Sequence, residues 1–432
     1  MASTLYICYF GLREPLVQTQ VLPYLREIQK DGTDVSILTF EPEFRKKWTP
    51  EQIAGQKANL ADEGIDWHCL AYHKWPSVPA TLYDIFRGTL FIRRFISKQK
   101  PDILHGRVHL PTLMGAMARK LSRHKPKLLF DIRGFFPEEY TDAGIWPEGG
   151  WLYRGAKRVE RWLLKEADGY VVLTEKARGI LVGDAGQEGE KRRKGDGEKD
   201  AEIPQSAIRN PNLNGPVEVI PCCVDISRFD TGISRQDARN RLELNDRFVV
   251  AYVGSFGGWY MTDEMMDFFE AAREFRPDTF VMILTQRDKE KIAKKLSERG
   301  FAARDFLVES VHPTQIPDYL SAADVALSFI KACYSKLSSS PTKIAEYLAC
   351  GVPIIANQGV GDIDDLIEEN GVGAIVDAFT RDRYINALRE IGRLTGVSER
   401  CKETSKREFH LDTVGGKRYR RIYRRILDGN AA

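Results

Sequence analysis

A lysine and a glutamate lie one turn apart at the start of a predicted helix, directly after a serine-rich loop. The helix begins near Pro341, with Ser340 as its N-cap, and ends before Gly351. Lys343 falls in the first turn, where unpaired N–H groups and the positive end of the helix dipole favour phosphate. Glu346 faces the same side, and a carboxylate there suits paired hydroxyls such as those of a ribose.

This stretch therefore predicts a site for a nucleotide diphosphate. The alternative is an ordinary capped helix that carries a solvated lysine–glutamate pair. The candidate nucleotide-binding residues are Ser338, Ser339, Ser340, Thr342, Lys343 and Glu346.

A glycine-rich loop follows the first strand predicted in the second half of the chain, Phe248 to Val253. Glycines let the backbone approach a ligand closely, so this loop is a second candidate for phosphate contact, although such a loop is also a common turn. Arg287 directly follows a later strand and could reach a diphosphate, or it could be a surface arginine. The candidates here are Gly254, Ser255, Gly257, Gly258 and Arg287.

Several polar residues in the first half are predicted to come just after strands, where open parallel sheets place their ligands. His105 and Arg107 are the candidates for assisting catalysis, although a histidine on an apolar face is more often structural. The candidates for binding a second ligand, which the resemblance given below identifies as the acceptor, are Arg13, Gln18, His109 and Arg133. Gly11, at the end of the first predicted strand, is a further candidate for contact with the nucleotide.

The elements that carry these residues alternate between short apolar strands and amphipathic helices, which predicts α/β architecture with parallel sheets. Two such doubly wound, Rossmann-like halves predict a bilobed molecule with ligands in the cleft between the lobes. The predicted domains are 1–235, with an insertion at 183–206, then 236–405, and a C-terminal helical segment at 406–432. The insertion has no aromatic residue and many charges, so it is expected to be flexible.

Composition narrows the function. The chain has 432 residues, 43% of them hydrophobic, and a formal net charge of only +3, which argues against a nucleic-acid binder. Its seven cysteines include no CxxC pair and suit a reducing, cytoplasmic setting. Neither a signal peptide nor a transmembrane run is found. The DxD at Asp362 and Asp364 is read as a helix start, so no metal site is expected.

The C-terminal segment KRYRRIYRRILDG is strongly amphipathic. Its apolar stripe is expected to pack on the first domain, and its basic face to be exposed, where it could touch an anionic membrane surface. The stripe consists of Tyr419, Ile422, Tyr423, Ile426 and Leu427.

Six segments together resemble glycosyltransferase family 4, and the resemblance covers nearly the whole chain apart from the insertion. The most specific is SSSPTKIAEYLACGVPIIAN, and GVGD comes shortly after it in the chain. The others are IPCCVD with Phe229, GSFGGWY, the HGR at His105, and DIRGFFPEE. The resemblance implies the two-lobed GT-B fold and a metal-independent, retaining transfer of sugar from a nucleotide-sugar donor. It assigns the donor to the C-terminal lobe and the acceptor to the N-terminal lobe.

By position, Glu346 matches the second glutamate of the family's E-x7-E motif, which holds the donor ribose. The first glutamate falls at Ser338, so the chain departs from the pattern where the family contacts the donor sugar. The usual arginine and lysine of the first C-lobe loop are also absent. Lys343, with Arg287, is the expected replacement for neutralising the diphosphate.

The sequence thus predicts a cytoplasmic, retaining glycosyltransferase that acts on a glycan, lipid-linked or small-molecule acceptor, with possible peripheral contact to the inner face of a membrane. Two alternatives stay open. One is a nucleotide-sugar epimerase or hydrolase on the same fold, and the other is a non-catalytic nucleotide- or sugar-binding protein, which the missing first glutamate would suit.

Overall fold

The structure is a computed structural model that describes residues 1–183, 213–244 and 246–429. The chain forms two compact units, the first made of Met1–Pro221 with Leu411–Ala432 and the second of Cys222–His410. Most of the predicted flexible insertion, from residue 184 onward, lies outside the described residues.

The unit boundaries differ from the predicted ones, which fell after residues 235 and 405. Residues after Pro221 already belong to the second unit, because the Cys222 N–H donates to the Ser340 hydroxyl at 3.0 Å. At the other end, the hydroxyl of Ser405 donates to the Ala345 carbonyl at 3.2 Å, which holds the last helix of that unit in place. These contacts join residues far apart in sequence and leave no local signal.

Within the described residues, the first unit contains a seven-stranded parallel sheet in the order β3-β2-β1-β4-β5-β6-β7. Its strands are β1 Ser3–Ile7, β2 Asp34–Pro42, β3 Ile65–Tyr72, β4 Ile103–Arg107, β5 Lys127–Asp131, β6 Gly169–Val172 and β7 Val217–Val219. Strand β3 was not predicted. Most of its residues are only half-buried, so it lacks the continuous apolar run that marked the central strands.

The helices of the first unit cover both faces of its sheet. They are α1 Pro15–Gln20, α2 Leu22–Gln29, α3 Phe44–Lys47, α4 Pro50–Asp62, α5 Ser77–Gln99, α6 His109–Lys120, α7 Phe136–Asp142, α8 Trp151–Glu166 and α9 Glu175–Val182. The apolar spacing of residues 17–30 predicts one helix that Pro23 kinks or delays, and the structure divides this segment into α1 and α2, with Pro23 in the first turn of α2. The amphipathic pattern of residues 151–166 predicts a helix there, and α8 confirms it at both ends.

The second unit repeats the design with a six-stranded parallel sheet, among the described residues, in the order β10-β9-β8-β11-β12-β13. Its strands are β8 Phe248–Val253, β9 Thr279–Leu284, β10 Phe306–Glu309, β11 Val325–Ser328, β12 Ile354–Asn357 and β13 Gly373–Val376. Strands β8 and β9 are buried along their whole length, as their continuous apolar runs predicted. The strand order reverses between β8 and β11, and ligands of open α/β sheets bind at the carboxyl ends of such strands.

The helices of the second unit follow in chain order. They are α10 Arg235–Arg241, α11 Thr262–Phe275, α12 Lys289–Glu298, α13 Ile316–Leu320, α14 Thr342–Ala349, α15 Ile363–Asn370, α16 Arg381–Arg393 and α17 Val397–Phe409. The sequence predicts a helix at roughly 262–275, which α11 confirms at both ends, whereas α17 was not predicted.

The C-terminal helix, α18 Lys417–Asp428, belongs to the first unit. Four residues of its apolar stripe are buried there, while Leu427 stays partly exposed. Its basic face is partly exposed, as expected, at Lys417, Arg421 and Arg424, although four of its arginines lie near carboxylates of the same unit. Arg420 bonds Glu27 and Asp412, Arg421 and Arg425 approach Glu218, and Arg424 approaches Asp31. None of the described helices has the length and apolar character needed to cross a bilayer.

Candidate functional site

Helix α14 starts beside the point where the strand order of the second sheet reverses, and no side chain caps its first turn. The sequence assigned the cap to Ser340, which is a correction: its hydroxyl accepts the N–H of Cys222 instead. Pro341, expected inside the first turn, is itself the N-cap residue. The helix start therefore keeps its positive dipole end without a neutralising side chain, which favours an anion.

The Lys343 ammonium is buried and has no hydrogen-bond acceptor within the part of the chain that the structure describes. It lies over two aromatic rings, 4.1 Å from the centroid of Tyr252 and 4.3 Å from that of Tyr260. Burial lowers the pKa of Lys343 to about 7, and the nearby carboxyl of Glu346 only partly opposes this. Cation–π contact stabilises such a charge but does not replace an anion.

Glu346 lies three residues beyond Lys343 on the same side of α14, as predicted. Burial raises the pKa of the Glu346 carboxyl to about 7, although Arg228 and then Lys343 favour its charged form. Glu346 is half-buried, and its carboxyl can accept hydrogen bonds from hydroxyl groups.

The glycine loop after β8 passes directly beside the lysine. Gly254 has a φ of +141°, a conformation that favours glycine, and a Cβ there would lie 2.9 Å from the Lys343 ammonium. Ser255 and Gly258 are exposed, while the N–H of Gly257 already donates to the Thr262 hydroxyl at 3.0 Å. The loop can therefore offer backbone to a ligand, but not through the Gly257 amide.

Two hydroxyl groups of the serine-rich loop form hydrogen bonds within the protein, which the sequence did not predict. Ser338 is buried, and its hydroxyl donates to the Ser335 carbonyl at 2.7 Å inside the 3-10 turn Tyr334–Ser338. Two hydroxyls of the predicted set, those of Ser338 and Ser340, are thus engaged in structural hydrogen bonds. Ser339 and Thr342 are half-buried beside the helix start.

Arg287 lies at the carboxyl end of β9 with an exposed side chain. Asp364, part of the DxD, accepts the N–H of Gly359 at 3.1 Å, as expected for a residue near a helix start. Among the described residues, no group of three or more potential metal-ligating side chains is found.

The structure does not support the assignment of His105 and Arg107 as catalytic residues. Both lie inside β4, which continues to Arg107, and both are buried. The His105 ring nitrogens lie 2.9 Å from the Tyr423 hydroxyl and 3.4 Å from an Asp131 carboxylate oxygen. Arg107 donates to the Tyr6 hydroxyl at 3.3 Å and lies 3.8 Å from Asp131.

The remaining candidates of the first unit do not form one cluster. His109 is buried against Glu160 at 3.0 Å, and the Arg133 guanidinium donates to the Tyr419 hydroxyl at 3.4 Å. Arg13 is exposed and stacks 3.8 Å over the Trp48 ring, while the Gln18 amide donates to the Leu12 carbonyl at 2.6 Å. Gly11 is buried against Pro42, so its expected contact with the nucleotide is not supported.

Tyr252 is the residue of this site that the sequence did not reveal. It lies near the end of β8 and reads as one more buried strand residue. A signal was available, since strand alternation places Tyr252 and Gly254 on the same face of the sheet. The sequence favours core packing for Tyr260 over lining the ligand cleft, yet its ring centroid lies 4.3 Å from the Lys343 ammonium.

Two family models match the chain. The "Glycosyl transferase 4-like domain" matches residues 17–191, and "Glycosyl transferases group 1" matches residues 234–408, so that together they span most of the sequence. A comparison with curated protein sequences found no match.

Solved structures share the fold at low sequence identity. Sucrose-phosphate synthase from Thermosynechococcus elongatus has a TM-score of 0.70 and 14% identity over 100% of both chains. HepE from Anabaena, in complex with UDP and glucose, has a TM-score of 0.63 and 14% identity over 98% of this chain and 100% of its own. A putative UDP-N-acetylglucosamine 2-epimerase from Listeria monocytogenes has a TM-score of 0.59 and 13% identity over 99% and 97%. The expected GT-B fold, with its two Rossmann-like units, is confirmed.

Proposed function

We propose that this chain, which belongs to the glycosyltransferases, transfers a sugar from a nucleotide diphosphate donor. Its first domain matches the glycosyl transferase 4-like domain, and its second matches the glycosyl transferases of group 1. The donor binds the second unit at the start of α14. Transfer retains the anomeric configuration, and the acceptor is a glycan, a lipid-linked glycan or a small molecule. The proposal assigns no step to a metal ion, because Lys343 and backbone N–H groups supply the positive charge.

The observation that carries the proposal is the Lys343 ammonium, buried at a helix start without an acceptor among the described residues. A diphosphate placed there would complete a charge-assisted hydrogen bond and raise the pKa of the lysine. Stabilising the departing diphosphate is the main electrostatic demand of glycosyl transfer from such a donor. The complexes of HepE with UDP and UDP-glucose support uridine diphosphate as the first nucleotide to test.

Glu346 would hold the ribose hydroxyls, one turn along the helix from the diphosphate. No side chain of the first unit is proposed as a nucleophile or base, since His105 and Arg107 are buried in a structural network. Catalysis then comes from orientation and from the charge around the leaving group, with the departing phosphate taking the acceptor proton.

The test is calorimetric titration of UDP and UDP-glucose into the wild-type chain, Lys343→Met and Lys294→Met. Lys343→Met is expected to weaken UDP binding by about 10- to 100-fold, the worth of one hydrogen bond to a charged group. Lys294 is an exposed lysine of the same unit, so Lys294→Met should bind like wild type. Undiminished UDP binding by Lys343→Met would remove the basis of the proposal.

Turnover separates a transferase from the two alternatives. A transferase releases UDP from UDP-glucose in an acceptor-dependent way, measured across a panel of glycans, lipid-linked sugars and small alcohols. An epimerase or hydrolase would convert the nucleotide sugar without any acceptor. Tight binding without turnover under every condition would instead identify a nucleotide-binding protein.

A further inference from the structure

An apolar surface is exposed on the first unit, at the N-terminal half of α5 and at Trp75, two residues before the helix. Trp75 is 86% exposed, Leu82 61% and Phe86 60%, and Val78 and Tyr83 are also exposed. We call these five residues the α5 patch. Single exposed apolar side chains are ordinary, but five within twelve consecutive positions mark an interaction surface.

The α5 patch is held rigidly outward by the packing of the opposite side of the helix. Val78, Leu82 and Phe86 follow one another at i, i+4 and i+8 and so share a face, while Ile92 and Ile96 anchor the helix in the core. At Gly88 the helices α5 and α6 approach so closely that a Cβ would lie 2.5 Å from the Met114 sulfur. The helix therefore cannot turn to bury the patch.

The exposed charged residues of α5 and its flanking positions have one sign. Six basic residues lie between positions 74 and 100, namely Lys74, Arg87, Arg93, Arg94, Lys98 and Lys100. The one acidic residue in that segment, Asp84, is buried and bonds the Tyr9 hydroxyl at 2.8 Å and the His73 ring at 2.6 Å. Within the described residues, none of the six basic side chains forms an ion pair with a carboxylate.

The basic residues flank the patch along the same helix. Arg93 follows Phe86 by seven residues, and Arg94 follows Arg87 by seven, which is about two turns and so the same side in each case. Aromatic and aliphatic side chains on one face, bordered by arginine and lysine, are the composition of helices that lie in a lipid interface. A second copy of this chain fits poorly, since a symmetric contact would bring like charges together.

We propose that the α5 patch docks the first unit on an anionic lipid bilayer, with the apolar side chains in the interface and the basic residues on the headgroups. The basic face of α18, where the sequence allowed a membrane contact, is a weaker candidate than the α5 patch. The apolar face of α18 is buried, and Arg420, Arg421 and Arg424 lie close to carboxylates. Docking does not depend on the acceptor, so it can fail while the proposed transfer holds, and the reverse.

The test is co-sedimentation with vesicles of phosphatidylcholine containing phosphatidylglycerol, compared with vesicles of phosphatidylcholine alone. Wild type is expected to bind the mixed vesicles and to lose binding as salt rises. The double variant Leu82→Ser/Phe86→Ser should bind at least about tenfold more weakly. Arg87→Glu/Arg94→Glu should also lose at least about tenfold and show little dependence on salt.

Matched controls test the location. Leu121→Ser removes an exposed leucine at the far end of α6, and Lys165→Glu/Lys291→Glu makes the same change in net charge elsewhere. Both controls should bind like wild type, and all variants should keep wild-type unfolding temperature and UDP affinity. Three outcomes would overturn the proposal: no binding of wild type to mixed vesicles, wild-type binding by Leu82→Ser/Phe86→Ser, or a dimer in ultracentrifugation that this variant abolishes.

Discussion

Each unit buries a charged group near the carboxyl ends of its central strands, and the two groups behave in opposite ways. In the first unit, Asp131 has the guanidinium groups of Arg107 and Arg133 each at 3.8 Å. Burial alone would raise the pKa of Asp131, yet Arg133, His105 and Arg107 hold it at about 2. In the second unit, burial lowers the pKa of Lys343 to about 7.

The direction of each pKa shift shows whether the fold stabilises or destabilises the charged form of the group. The charge of Asp131 is stabilised by partners within its own unit, so its cluster is part of the structure. The charge of Lys343 is disfavoured by its surroundings, so the native state is less stable for carrying it. A buried charge that the fold does not compensate is a candidate for compensation by a ligand, here an anionic one.

The largest expected loss of stability comes from the cluster of Asp131, Arg107 and Arg133 in the first unit. Asp131→Ala should lower the free energy of unfolding of the first unit by about 3–5 kcal/mol, because it leaves buried arginines without their partner. Urea unfolding followed by circular dichroism measures this. Asp278→Ala, which removes an exposed carboxylate paired with Arg276, should cost less than about 1 kcal/mol. If the two variants lost the same stability, the cluster would not be a structural ion pair.

Replacing Lys343 is expected to change stability by an intermediate amount and in the opposite direction, that is, to stabilise the protein. The pKa of Lys343 is about 7 in the folded chain and 10.5 ordinarily, so stability without ligand rises with pH between these values. Lys343→Met should therefore raise the unfolding temperature of the second unit most below pH 7 and little near pH 10.5. The unfolding temperature is expected to rise by about 2–4 °C for each kcal/mol gained in the free energy of unfolding.

Thermal unfolding across this pH range, without nucleotide, checks the prediction. The control is Lys294→Met, which should leave the curve unchanged at every pH. A lower unfolding temperature for Lys343→Met throughout would mean that the fold itself supports the lysine charge.

The smallest effect is expected at Ser338, where the family pattern has a glutamate. Its hydroxyl bonds the Ser335 carbonyl, so Ser338→Ala should lower the free energy of unfolding by about 1 kcal/mol. UDP and UDP-glucose affinity should stay at the wild-type level in calorimetric titration. A clear loss of UDP-glucose affinity, with UDP unaffected, would return Ser338 to the donor site.

The candidate site around Lys343 in the second unit was largely predictable from the sequence, because each of its parts lies within a short segment. The helix start that carries Lys343, the apolar strand before the glycine loop and the spacing to Glu346 each occupy a short segment with a recognisable pattern. The alternation of strands and helices predicted the doubly wound architecture in the same way. Ser340 shows the limit, since its partner is the N–H of Cys222, which is 118 residues away.

The first unit was harder to predict for the same reason. His105 and Arg107 read as residues beyond a strand end, but β4 continues through them and takes both into the core. Tyr423, the hydrogen-bond partner of His105 in this buried network, comes from a helix 318 residues later. Sequence patterns predicted that this helix packs on the first unit, but not which polar groups it would bond.

Proton uptake on nucleotide binding tests the central claim most directly, that Lys343 is the uncompensated charge that a diphosphate neutralises. At about pH 8, Lys343 in the free protein is mostly neutral and Glu346 mostly charged, so an anion that charges the lysine must bring in a proton. Calorimetric titration of UDP in buffers with different ionisation heats counts that proton. The account predicts uptake close to one proton per UDP by wild type and none by Lys343→Met. Equal proton uptake by the two proteins would contradict it.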